Sequence, residues 1–180
     1  MVPELTFDDS YAPDRGKVYN KEQLVDMDAF YRYLDVDGDG IPWRTLPGVD
    51  ETGAYFVRGS GHNKYGGYTE KSDEYQEVVD RLRRKFDTAA NMVPAPAIDL
   101  VNGATGEPTK RAIISIGSCD GAVREARDQM ASDKGNLDYC RLIAFPFSDA
   151  VREFIERYER VYVVEQNRDA QLRQLSLIHI

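Results

Sequence analysis

Beyond Pro96 the sequence predicts an α/β fold, an incomplete Rossmann-like parallel sheet over residues 98–174, with an irregular and partly helical segment before it. Three observations carry this expectation. Apolar runs recur at Arg111 to Gly117, Asp138 to Phe145 and Arg160 to Val164, each short enough for one strand. Between them lie amphipathic stretches, Ala122 to Ala131 with Val123, Ala126 and Met130 on one face, and Asp149 to Tyr158 with Val151, Phe154, Ile155 and Tyr158 inward. Continuous rather than alternating apolar strands, separated by helices, mark right-handed βαβ units whose sheet is covered on both faces. Three parallel strands make a small sheet, so an exposed edge is expected.

The elements before Pro96 read less regularly. Residues 1 to about 20 hold Pro3, Pro13 and Gly16 among scattered charges and form an irregular arm. Asn20 can cap a helix over Lys21 to Tyr33, where Leu24, Met27, Phe30, Tyr31 and Leu34 define one apolar face. A strand is expected at Ala54 to Val57. A helix follows from Glu74 to about Asn91, capped by Ser72 or Asp73, with Val78, Val79, Leu82, Phe86 and Ala89 or Ala90 as its stripe. Its basic cluster, Arg81 to Lys85, reads as a solvated face paired as Glu77 with Arg81 and Asp80 with Arg84, with anion binding the competing reading. Met92 to Ala97 carries two prolines and reads as a rigid linker. The expected domains are therefore 1–91, a linker at 92–97, and 98–174.

The two ends read as truncations. Leu175-Ser-Leu-Ile-His-Ile180 is apolar and uncharged, and it is the translation of CTG TCT CTT ATA CAC ATC, which resembles a sequencing-adapter end. Residues 175–180 are thus expected to be adapter-derived, the alternative being a further strand from Leu175. Met1 reads as an internal methionine of a longer subunit.

Composition excludes several function classes. A formal net charge of −8 repels nucleic acid and anionic membrane surfaces. No run approaches the roughly 20 apolar residues of a membrane span, and the start lacks the basic flank of a signal peptide, so a cytoplasmic location is expected. Cys119 and Cys140, with no CxxC pair, cannot supply a four-thiolate site from this chain.

Glycines, prolines and polar residues concentrate between Asp37 and Asn63, which marks a shaped loop surface. Asp35, Asp37 and Asp39 with Gly40 match the first half of a calcium-binding EF-hand loop. The second half fails, since Leu46 stands where the closing glutamate belongs and Pro42 where the exiting helix would form, so no metal site is expected. Arg58, Gly59, Ser60, Gly61, His62 and Asn63 combine glycine-freed N–H groups with an arginine and an imidazole, suited to an anion or an interface contact, or simply to turns. At the first strand's end, Gly117, Ser118 and Cys119 lie where α/β sheets gather ligands, as do Glu165 and Asn167 after the third strand. Cys119 could be activated at a helix start, or it could simply fill a tight turn. No catalytic residue can be nominated.

Long stretches, DDSYAPDRGKV, DVDGDGIPWRTLPG, GAYFVRGSGHNKYG, RLRRKFDTAANMVPAP and RVYVVEQNRDAQLR, resemble the carboxy-terminal part of the alpha subunit of 2-oxoacid:ferredoxin oxidoreductases, the 2-oxoglutarate type in particular. The resemblance runs over residues 2–174. It implies oxidative decarboxylation of a 2-oxoacid onto coenzyme A by a holoenzyme using thiamine diphosphate, magnesium and iron–sulfur clusters, with ferredoxin as acceptor. It also implies that residues 1–91 trail a thiamine-pyrimidine-type domain and that 98–174 begin a domain like the C-terminal domain of transketolase. The family's YPITP-like motif is absent, so this piece is expected to be a structural and assembly part, inactive alone, completed by the thiamine-binding beta subunit and the rest of the alpha subunit. The alternative is an independent small-ligand or metal-binding module using the Asp35–Asn63 loop.

Overall fold

A computed structural model describes residues 8–56, 59–101, 109–131 and 137–178. The chain divides into two compact units, residues 1–85 and 86–180.

In the first unit, Asn20 opens α1 (Lys21–Val25) through a reciprocal capping box, its side chain accepting from Gln23 N at 2.9 Å and its N–H donating to the Gln23 side chain at 3.0 Å. The helix expected to run to Tyr33 stops at the Asp26 cap. Beyond it the aromatics take partners from different segments. Phe30 meets Tyr19 and Tyr55, Tyr31 meets Tyr65, and Tyr33 stacks on His62. One helical face could not point these rings at separate partners, so aromatic packing overrides the local periodicity. Leu24 is fully buried over Gly53, where a Cβ would lie 3.1 Å from the leucine, and the Thr45 hydroxyl donates to the Gly53 carbonyl at 2.8 Å.

The strand expected at Ala54 to Val57 does not form over Ala54–Phe56, and Val57 lies outside the described residues. Among the described residues no ladder partner faces that stretch; Ala54 instead closes a 3₁₀ turn at Glu51–Gly53. α2 spans Ser72–Ala90, so that Ser72 and Asp73, expected as caps of a helix from Glu74, form its first turn instead; only Val78 and Arg81 on it are buried, whereas Val79, Leu82 and Phe86 stay more than a third exposed. The expected intrahelical ion pairs are replaced by others. Glu77 holds Lys64, Arg84 reaches Asp35, and Asp80 accepts from Gln76.

The second unit is a four-stranded sheet in the order β1-β3-β2-β4. β2 (Arg111–Ile116) pairs in parallel with both β3 (Asp138–Leu142) and β4 (Arg160–Val164), with Ile114 opposite Cys140 on one side and Val163 on the other. β1 (Ala97–Asp99) adds an antiparallel edge to β3, where the sequence had suggested a linker ending at Ala97 and only parallel strands. Three residues carry too little periodicity to be read as a strand. What holds them is tertiary: Arg127 donates to the Asp99 carboxylate at 2.7 Å, and Val101 N–H to Asp138 at 2.6 Å.

Side chains alternate along each strand, so the two faces receive different helices. Ile113 and Tyr139 pack with Cys119 and Val123 of the turn and α3 (Asp120–Ala131). Ala112, Ile114, Cys140 and Leu142 pack with Val151, Phe154 and Leu172 of α4 (Asp149–Glu156) and α5 (Gln171–Ile178). Helices on both faces of a mostly parallel sheet give the α/β layering that the apolar runs implied. Leu175 belongs to α5, not to a further strand, and Ser176 is buried with its hydroxyl donating to the Leu172 carbonyl. His179 and Ile180 lie outside the described residues. No described helix is long and apolar enough to cross a membrane.

Candidate functional site

The acidic loop is closed by an internal cation. Asp35 accepts the N–H groups of Gly38 and Gly40, each at 3.0 Å, making the tight turn that an EF-hand also needs. Asp37 and Asp39 both face Lys17, whose ammonium lies 2.6 Å from each carboxylate and 3.3 Å from the Ile41 carbonyl. Trp43 Nε1 donates to Asp37 at 2.8 Å, and the Trp43 ring stacks on Tyr19. Against desolvation, the two carboxylates hold the Lys17 ammonium above its ordinary range, and the lysine holds both of them below theirs. Among the described residues no group of acids, histidines or cysteines is arranged to hold a metal ion. Lys17, far off in sequence, takes the position between the carboxylates that a metal would need.

The Arg58–Asn63 segment folds into its own turn. Arg58 lies outside the described residues, and Gly59 and Ser60 are exposed. Asn63 is the hub. Its side-chain oxygen accepts from Tyr65 N and Gly67 N, its amide donates to Glu74, and its backbone closes on Gly67 and Gly66. The Gly61 carbonyl accepts from Thr69 N, and the His62 imidazole stacks on Tyr33 at 4.0 Å with Nδ1 3.0 Å from the Asn63 carbonyl. Asn63 thus takes up the N–H groups of Tyr65, Gly66 and Gly67, which follow the segment.

In the second unit the candidate rim sits at the carboxyl ends of β2 and β4. The chain leaves β2 for β3 on one side, and β4 returns on the other, so this is the topological switch point of the sheet. Gly117 has φ +69 and no atom near where a Cβ would stand. Ser118 reaches Gln166 across the gap at 3.4 Å. Glu165 and Asn167 turn back to cap α5, Glu165 accepting from Leu172 N at 2.9 Å and Asn167 from Gln171 N at 3.1 Å. Cys119 is buried against Val123 and Tyr139, filling the turn.

One feature escaped the sequence reading. A cleft of about 360 Å³ in the first unit is lined by residues from the Tyr33–Gly38 stretch, Lys64 and one face of α2, with Arg81 among them. The basic cluster on the helix was the signal available, but its burial could not be read from spacing.

No family model matches the chain. It is 25% identical over 169 residues to subunit alpha of 2-oxoacid:ferredoxin oxidoreductase 2 from Aeropyrum pernix, an alignment covering 93% of this chain and 26% of the relative. Its fold matches 2-oxoglutarate:ferredoxin oxidoreductase from Magnetococcus marinus, solved with 2-oxoglutarate, coenzyme A and succinyl-CoA bound, at a TM-score of 0.67 and 19% identity over 90% of this chain and 26% of that one. The chain thus spans about a quarter of the length of each protein it matches. Nearly the whole of it is similar to one segment of a 2-oxoacid:ferredoxin oxidoreductase alpha subunit.

Proposed function

We propose that this chain is a structural and assembly segment of the alpha subunit of a 2-oxoacid:ferredoxin oxidoreductase that converts 2-oxoglutarate to succinyl-CoA in the cytoplasm, with ferredoxin as electron acceptor. The observation that carries the reading is an alignment running through both units of this chain onto a single stretch of such a subunit. The like fold of a 2-oxoglutarate-bound oxidoreductase supports the choice of oxoacid. Its partners are the beta subunit and the remainder of the alpha subunit.

Thiamine diphosphate, magnesium and the clusters supply the decarboxylation and electron chemistry in such a holoenzyme. The residues of this chain do not fit an iron–sulfur cluster, which needs four thiolates, because its two cysteines are buried in different core layers on opposite faces of the sheet. What this chain supplies is shape. The Lys17 ion-pair lock fixes the acidic loop, Asn63 fixes the glycine turn, and the switch-point rim of Gly117, Ser118, Glu165 and Asn167 presents the sheet's ligand-facing end to the rest of the enzyme. The Gly59–Asn63 turn serves as an interface contact in the same assembly.

Grafting this segment into the Aeropyrum pernix alpha subunit in place of its counterpart, with the beta subunit coexpressed, tests the reading. A complex that co-purifies and reduces ferredoxin in a manner dependent on 2-oxoglutarate and coenzyme A is the expected result, with the 180-residue chain alone inactive. Turnover by the isolated chain, or a graft that no longer captures the beta subunit while the parent does, refutes it.

A further inference from the structure

We propose that the cleft over Arg81 binds a small monocarboxylate with a short apolar body. The argument starts from the arginine itself. Arg81 is 7% exposed, and among the described residues its one hydrogen bond is Nη1 to the Gly40 carbonyl at 3.0 Å. Its Nε is buried without a partner, and no described carboxylate forms an ion pair with it. Burying a guanidinium beside a neutral carbonyl alone is unfavourable, so an arginine kept this way is either strained or reserved for an anion. Desolvation lowers its proton affinity, and Arg32 and Arg84 add to that while Asp35 opposes it.

The surroundings select the anion. Lys64, Arg81 and Arg84 line the cleft against Asp35 and Glu77, three cations to two carboxylates, which leaves one positive charge in excess. Glu77 is engaged by Lys64 at 2.9 Å and Asp35 by Arg84 at 3.3 Å, so the unspent charge is that of Arg81. A single carboxylate neutralises it and matches the planar guanidinium fork. A phosphate near two negative charges would overshoot and meet Asp35 and Glu77. Tyr33, Leu34 and Val78 give the same cleft an apolar wall, with Tyr33 held in place by its stack on His62, and the volume of about 360 Å³ suits a small molecule. Every residue lining the cleft belongs to the first unit.

The test is a titration of the full 180-residue chain with butyrate, read by the arginine side-chain Nε–H signals in heteronuclear NMR, alongside butyramide as the neutral counterpart and inorganic phosphate. Butyrate is expected to move the Arg81 signal saturably, with butyramide silent and phosphate weaker. Lys64→Gln, at a half-exposed position on the rim, is expected to weaken binding roughly tenfold without unfolding the chain, and Arg81→Gln to abolish it. If Arg81→Gln does not fold, the Lys64→Gln series still decides. Equal response to butyramide, tighter binding of phosphate, or an Arg81 signal that never moves overturns the proposal.

Discussion

A Cβ on Gly40 would stand 2.3 Å from the backbone nitrogen of Lys85, so the acidic loop lies flush against the α2 backbone at a point where only glycine fits. Gly40 also has φ +81, in the left-handed region. Gly38 shares that conformation at φ +78 but has nothing within 4 Å of its missing Cβ. Gly40→Ala is therefore expected to destabilise the chain by about 3 kcal/mol or more, and Gly38→Ala by about 1 kcal/mol. Urea denaturation of the two variants checks this, and equal losses would show that the close approach is not what the glycine serves.

The Lys17 lock has a signature in pH. Its hydrogen bonds hold Asp37 and Asp39 below their ordinary value of 3.8, so their stabilisation is complete above that pH and is lost as pH falls through the lower folded values. Lys17 is raised above its ordinary 10.5, so its contribution is present below that pH and is lost as pH rises through the folded value. Lys17→Met is expected to flatten the acid limb of a stability–pH curve by up to about one proton below roughly pH 4, and to leave the neutral region parallel to wild type. An unchanged acid limb means the contacts at 2.6 Å do not persist in solution.

Buried polar contacts tie β2, β3 and α3 together. Tyr139 is fully buried, and its hydroxyl lies 2.6 Å from the Ser115 hydroxyl and 3.0 Å from Asp120, with Arg124 and Arg127 over the ring. Tyr139→Phe is expected to lose about 1–2 kcal/mol, because the Ser115 hydroxyl is left without that partner in the core. Adding Ser115→Ala to Tyr139→Phe should cost little more, and a double-mutant cycle by chemical denaturation measures the coupling.

Neither cysteine should behave as a reactive thiol. Cys140 is fully buried, and desolvation pushes its thiol up to about 12, while Cys119 is buried in the turn before α3. Dithionitrobenzoate at pH 8 is expected to label neither in the native state and both in denaturant. Rapid native labelling of Cys119 would revive it as a reactive group.

How legible each part was follows from the range of the interactions that make it. β4 matches its expected bounds, and β2, β3, α3 and α4 differ from theirs by a few end residues, because continuous apolar runs and helical stripes are local signals that burial then rewards. β1 was missed because three residues cannot show a period, and α1 was overextended because its aromatics repeat at helical spacing but pack on Tyr55, Tyr65 and His62. The Asp35–Gly40 turn was recognisable from its aspartates and glycines, but nothing near it in sequence announced Lys17. The Glu77–Arg81 and Asp80–Arg84 pairs expected from spacing gave way to Lys64 and Asp35, whose loops reach the helix only once the chain has folded.

By itself the sequence determined the alternating order of strands and helices and the family whose alpha subunit it resembles, since each is written in residue type and spacing. Only the tertiary structure decided which cation neutralises Asp37 and Asp39, which residues Glu165 and Asn167 serve, and that Arg81 is buried with no ion pair to a described carboxylate. Those outcomes depend on electrostatics and desolvation between segments distant in the chain, energies that do not exist until the backbone brings the groups within a few ångströms of one another.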